Sequence, residues 1–554
     1  MPRFSFSSSS QAGRLVNDSQ FPLNHYTDSR GRRVMTYSFW GWANRRQGTA
    51  EGSNGGYQET DRDNIIGNGP KVRYLLPVPR DIRTTTREHF SNISKFIDLD
   101  FKWVKDTGYE FNANWRQRER GRIRIMVDGN GGGGGSSHGA GSDAMSGGET
   151  FFKIWPRRTR STVGVERNRS WTSGGVTNVS SDNYTSEAVL HELHHSLGLG
   201  HGHDMGTRNT EHSSASDNIW NTVQSYNGPF GWSDVGATTI VATSMPDDIK
   251  ALQTIYGARN FNNSNTVYNF KRGDLYSSSS GEQLLDRRFV DQQIDNINTL
   301  DDSGGYDIID CSDYGKAFTY DGVRIDIRAG GYVINQSDWR NGASYTDNNG
   351  SQTGDEITGV PRKGTRLSWR TNIEAVQGTE RGNDTIIGNH LDNWIAGYGG
   401  NDYFWGAAGN DVLIGGSGRD QFFGGLGADR IYLGRGHGSQ DNDRDRVDYV
   451  SANDSLAHRG GYDVVHGFSS NDLFDLNAID GNIGERGRQS LRFIGTQSYT
   501  GQAGDLRVSG AWGVGTCGFI EADVNGDRRT DFRVALAGES VLATSLTGDN
   551  FVLI

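Results

Sequence analysis

The chain has 554 residues, 33% of them hydrophobic, with 78 glycines, 9 prolines, 2 cysteines and a formal net charge of −11. That length calls for roughly two or three domains. No apolar run approaches the roughly 20 residues of a spanning helix, and Cys311 and Cys517 are too few for a disulfide framework or a cysteine-type zinc site. The acidity is local. Residues 379–475 hold 15 Asp and Glu against 7 Arg and no Lys, a net of −8. Acids that dense repel one another unless cations bind, and their sign argues against a nucleic-acid-binding module.

In chain order, residues 1–30 are rich in Ser and Arg, lack the apolar stretch of a Sec signal peptide, and read as a leader. Val34–Trp40 alternates in polarity and predicts a strand, Arg83–Lys95 a helix with Phe90, Ile93 and Ile97 on one side, and Gly121–Val127 a further strand. Gly129–Gly148 predicts a flexible loop without core-forming capacity. A helix is expected over Thr185–Leu197, capped by Thr185 or Ser186 and ended by Gly198 and Gly200. Another is expected over Asp247–Tyr256, its opening acids favouring the positive end of the helix dipole. Gly257 stops it and marks the domain boundary. Beyond it, short β-like runs alternate with Gly, Asn and Asp.

The helix at 185–197 carries the string His191-Glu192-Leu193-His194-His195-Ser196-Leu197-Gly198-Leu199-Gly200-His201. His191 and His195 lie four apart and project from one helical face, so both imidazoles reach one zinc ion. Gly198 lets the chain turn back, and His201 becomes the third ligand, leaving a position for water. Glu192 stands beside them as the general base for that water. His194 points off this face and is expected to be a solvated neighbour.

A nine-residue unit recurs six times from Thr379 to Tyr432. Its sixth positions are Asp384, Asn393, Asp402, Asp411, Asp420 and Asp429, and its eighth are Ile386, Ile395, Phe404, Leu413, Phe422 and Ile431. This is the pattern of a parallel β-roll. Glycines make the turns, the eighth residue stacks inward, and Asp384, Asp402, Asp411, Asp420 and Asp429 with turn carbonyls supply hard oxygen ligands for several calcium ions. Asp523, Asn525, Asp527 and Asp531 read as a polar turn rather than a calcium loop, since Gly526 is misplaced for an EF-hand.

The two features in this order resemble the serralysins, secreted bacterial metzincin proteases with a C-terminal RTX roll. Arg33–Trp40 (RVMTYSFW) looks like the family's first strand, and His191–His201 matches its zinc string. Met245–Ala258 looks like the helix closing the protease domain, and the repeats match the roll. Gly461–Leu476 and Asp523–Leu536 resemble the strands that follow. The resemblance implies an α+β metzincin zinc-protease domain over 31–257, after a leader or propeptide at 1–30. An all-β RTX β-roll and C-terminal β-sandwich would fill 258–554. It implies one zinc and several calcium ions per chain, Glu192 and Tyr226 as catalytic residues, and Tyr226 as a labile fifth ligand that stabilises the oxyanion. It further implies a secreted monomer acting on extracellular protein substrates, without membrane insertion. The type I exporter would read the C-terminus, where Asp549–Ile554 (DNFVLI) has the acidic-then-apolar form of such signals.

Three features depart from the family pattern. Gln224 stands where serralysins have the Met of the Met-turn, Gly202 stands where Pro follows the third His, and Ile82–Ser180 has no clear counterpart. A competing expectation is a calcium-binding RTX surface or adhesion protein with a decayed catalytic domain. A third is a zincin of another family fused to RTX repeats.

Overall fold

The structure is a computed structural model. It describes residues 25–39, 57–60, 72–76, 78, 80–105, 123–128, 134–138, 149–153, 189–191, 193–194, 196–199, 219–225, 240–241, 243–260, 263–271, 274–277, 296–312, 314, 321–335, 364–435, 443–458, 460–513, 516–537 and 546–554. Two compact units divide the chain. One comprises residues 1–261, 286–301 and 342–369, the other 262–285, 302–341 and 370–554. Strands predominate among the described residues, and no helix among them is long and apolar enough to cross a membrane.

In the first unit the strand Arg33–Phe39 runs parallel to Asp100–Trp103 and to Ile123–Asp128, which is itself parallel to Glu149–Lys153. The expected helix extends over Arg80–Phe96. It buries Ile82, Phe90, Ile93 and Phe96, with the Phe90 ring 4.3 Å from Phe101 and 4.7 Å from Tyr37. Part of the glycine run differs from expectation. Gly134–His138 is a strand paired antiparallel with Glu149–Lys153. Glycine lacks a side chain but keeps both backbone hydrogen-bonding groups, so a committed neighbouring strand can template it.

Residues 189–191, 193–194 and 196 are helical, with Val189, Leu190, Leu193 and Leu197 buried. Gly198, at φ +102°, makes the turn expected of it. The helix Pro246–Tyr256 buries Ile249, Leu252 and Tyr256, and the Tyr256 hydroxyl donates to Leu197 O at 2.9 Å. That bond satisfies a carbonyl at the end of the preceding helix.

The second unit is a two-sheet parallel roll. One sheet steps through Ile308–Asp310, Ala375–Gln377, Trp394–Gly399, Val412–Ser417, Arg430–Tyr432 and Asp463–His466. The other steps through Asp321–Asp326, Asn383–Ile387, Tyr403–Ala408, Gln421–Leu426, Arg446–Asp448, Leu473–Asp475 and Phe551–Val552. Successive nonapeptides alternate between the sheets, so each full coil takes two units. The eighth-position residues Ile386, Ile395, Phe404, Leu413, Phe422 and Ile431 are all fully buried, and Phe404 stacks on Phe422 at 5.0 Å. Phe532–Ala537 continues the first sheet in parallel. Thr516–Asp523 and Asp505–Gly513 then extend it antiparallel.

Candidate functional site

The roll's aspartates form two ladders. On one side the backbone N–H of Asp384 donates to Asp402 Oδ1, and that of Asp402 to Asp420 Oδ1, each at 2.8 Å across 18 residues. Asp420 N then reaches Asp445 Oδ1 at 2.8 Å and Asp445 N reaches Asp472 Oδ1 at 2.9 Å. On the other side Asn393 N donates to Asp411 Oδ1 at 2.7 Å, Asp411 N to Asp429 Oδ1 at 2.8 Å, and Asp429 N to Asp463 Oδ1 at 2.9 Å. One carboxylate oxygen of each rung thus satisfies the backbone of the coil beneath it.

The second oxygen is what points to a cation. Asp402, Asp411 and Asp429 are buried, and the Oδ2 atom of each has no hydrogen-bond partner. A Cβ built on Gly406 would collide with Asp411 Oδ2 and with the Gly424 carbonyl. One on Gly397 would meet Asp402 Oδ2, and one on Gly424 would meet Asp429 Oδ2. The glycines therefore open small cradles in which carboxylate and carbonyl oxygens converge, the hard donor set that calcium takes. Asn393 marks the contrast. It is the neutral sixth-position residue, its Oδ1 accepts from Asn389 N at 2.8 Å and its Nδ2 donates to Ile373 O at 3.1 Å. An amide's own protons there occupy the carbonyl oxygens.

Without an ion these carboxyls are strongly perturbed. Burial pushes Asp411 up to about 8 against the hydrogen bond from Asn393 N. Burial also raises Asp402, and the charges of Asp384 and Asp420 add to it. Calcium would hold the groups ionised. Gly406→Ala is expected to raise the calcium midpoint of roll folding about tenfold, ~1.4 kcal/mol, as read by circular dichroism during calcium titration. An unchanged midpoint would refute the cradle.

Asp445, Asp463 and Asp472 were not among the expected ligands, yet they continue the ladders past the regular repeats. A signal existed. Asp445-Arg446-Val447, Asp463-Val464-Val465 and Asp472-Leu473-Phe474 keep the aspartate-to-apolar offset of the repeats while the spacing between units changes. Val447, Val465 and Phe474 are fully buried, like the eighth-position residues. At the Asp523 turn the side chain binds the local backbone. Its carboxylate accepts from Gly526 N at 2.6 Å and Arg528 N at 2.8 Å. Cys311 is a buried free thiol, its pKa pushed well up by burial.

Of the residues expected to hold zinc or to catalyse, the structure describes His191. Glu192, His195, His201 and Tyr226 lie outside the described residues. Among the described residues no group of three or more His, Cys, Asp or Glu side chains is placed to hold a metal ion. His191 Nδ1 lies 2.8 Å from Val223 O. A carbonyl can only accept, so Nδ1 carries the proton and the lone pair of the neutral ring sits on Nε2. That is the tautomer of a metal-ligating histidine steadied by a backbone carbonyl.

Gln224 is fully buried, and its Nε2 donates to His191 O at 2.9 Å. Its Oε1 has no hydrogen-bond partner among the described residues. His194 corrects an expectation. It is fully buried rather than solvated, with Nε2 2.9 Å from Ser244 Oγ. Burial lowers it to about 3, so it is neutral. The last residue of an HExx segment looks outward only if nothing packs over the helix. Here the stretch that includes Ser244 does so.

The ladders and cradles define a calcium-binding parallel β-roll. Residues 379–413 and 405–440 match the family model of the RTX calcium-binding nonapeptide repeat. Similar solved structures include two subunits of the Azotobacter vinelandii mannuronan C5-epimerase. AlgE6R2 is 24% identical over 30% of this chain and 92% of that one, at a TM-score of 0.18. AlgE6R3 is 26% identical over 31% and 77%, at a TM-score of 0.14. Comparison with curated proteins gives no match.

Proposed function

We propose that the chain is a secreted zinc endopeptidase carrying a calcium-stabilised RTX roll. The observation that supports this best is the His191–Val223 bond, which sets the metal-ligating tautomer at the first histidine of an HExxHxxGxxH string. His191, His195 and His201 would hold the ion, and Glu192 would take a proton from water and pass it to the leaving amine. Tyr226, by its likeness to the serralysin tyrosine, would donate to the developing oxyanion. Zinc, when bound, supplies Lewis acidity for the carbonyl and the water. The substrates would be extracellular proteins. RTX proteins typically leave the cell by type I export, and we assign the same route here, with the monomer as the acting form.

Casein zymography with the full chain tests this reading. A band that o-phenanthroline removes, and that Glu192→Ala lowers by at least about 100-fold, is the expected result. Zinc binding without cleavage of any protein would favour the decayed RTX surface protein, a reading that the unpartnered Gln224 Oε1 supports.

A further inference from the structure

The turn at residues 221–225 does more than present a carbonyl to His191. Three hydrogen bonds run head to tail from that histidine to a buried acid on another helix. His191 Nδ1–H donates to Val223 O at 2.8 Å. The N–H of the same peptide group, on Gln224, donates to Thr222 Oγ1 at 3.0 Å. The Thr222 hydroxyl donates to Asp248 Oδ1 at 2.6 Å. Asp248 Oδ2 accepts from Val223 N and from Met245 N, each at 2.9 Å, which holds the carboxylate against the turn.

The direction of the chain matters. Every donor points toward Asp248, so each bond polarises the next in the same sense. A metal-ligating histidine commonly has a carboxylate on its other ring nitrogen, which orients the ring and raises its basicity. Here one threonine and one peptide group separate the two. Asp248 and Thr222 are fully buried, so water does not compete for these bonds. His194 Nδ1 lies 3.8 Å from Asp248 Oδ1, beyond hydrogen-bond reach.

We propose that Asp248, acting through Thr222 and the Val223–Gln224 peptide, is the remote carboxylate partner of His191 and a positioning residue for the metal. This rests on the zinc reading above and assigns the residues behind it.

The test uses the full chain with zinc and with cobalt as the probes. Thr222→Val removes the hydroxyl link and leaves both amide bonds to Asp248. Thr222→Ser restores the link. Thr222→Val is expected to lower zinc affinity about 10–100-fold, measured by competition with a chromogenic chelator, and to shift the visible absorption of the cobalt-loaded protein. Thr222→Ser should return both to wild type. A Thr222→Val protein with wild-type zinc affinity and cobalt spectrum overturns the proposal. Should that variant fail to fold, hydrogen exchange on the wild type decides. Protected Val223 and Gln224 amides support the relay, and loop-like exchange at either overturns it. The zinc reading fails separately, if the wild type binds neither metal or if His191→Ala binds as tightly as wild type.

Discussion

Withdrawing calcium with EGTA at about pH 8.5 is expected to abolish the β-structure of the roll, seen as loss of its far-ultraviolet circular dichroism and recovered on adding millimolar calcium. At free calcium 100 times Kd, each independent site adds about 2.7 kcal/mol, and the ladders offer several. Domain stability is only about 5–15 kcal/mol, so losing a few sites suffices. The pH dependence without calcium follows from the raised carboxyls. Asp411 stands at about 8 in the folded chain against an ordinary 3.8. The folded state therefore binds protons that the unfolded state releases between those values. This contribution is fully present below about 3.8 and lost as pH rises through about 8. In EGTA the roll should therefore keep more of its β-structure at about pH 5.5 than at about pH 8.5. An unchanged β-spectrum in EGTA at the higher pH would end the calcium-driven account.

The second large effect lies where the roll ends. Glu521 faces Arg507 and Arg533 across adjacent antiparallel strands. Its Oε1 accepts from Arg533 at 2.6 and 2.9 Å. Its Oε2 accepts from Arg507 at 2.8 and 3.0 Å and from Ser509 at 2.8 Å. Burial pushes this carboxyl up, but Ser509 and the two guanidinium groups outweigh it and hold it below the usual range. Arg507 lies 4.1 Å over Tyr499 and Arg533 lies 5.1 Å over Phe519, so neither cation can swing away cheaply. Glu521→Ala leaves two cations facing each other and should cost about 3–5 kcal/mol, read by urea unfolding in saturating calcium. A loss under about 1 kcal/mol would mean that the pairs act as solvated surface bridges. Because the Glu521 pKa is depressed on folding, its contribution is present above the unfolded value and lost as pH falls through the folded one.

Much of the roll was legible because its information is local and periodic. A sixth-position acid and an eighth-position apolar residue recur on a fixed count, and a β-strand places residues two apart on the same, inward face. Asp445, Asp463 and Asp472 escaped that count because the intervening turns vary in length. Their bonds span 25, 34 and 27 residues instead of 18. The helix Pro246–Tyr256 was equally plain, from its proline and opening acids. Nothing in its sequence distinguished Asp247 from Asp248. Asp247 accepts from Trp369 Nε1 at 2.7 Å, whereas Asp248 underlies the turn beside His191.

By itself, then, the order of residues determined the repeat, its inward stack, its excess of negative charge and the histidine spacing. Each depends on neighbours a few positions apart. Tertiary structure alone decided which oxygen of each aspartate is spent on a distant backbone N–H, where the ladders stop, that His194 is enclosed, and that Thr222 connects Asp248 to His191. A buried polar group takes its role from whichever donors the fold brings within about 3 Å, and those donors can come from anywhere along the chain.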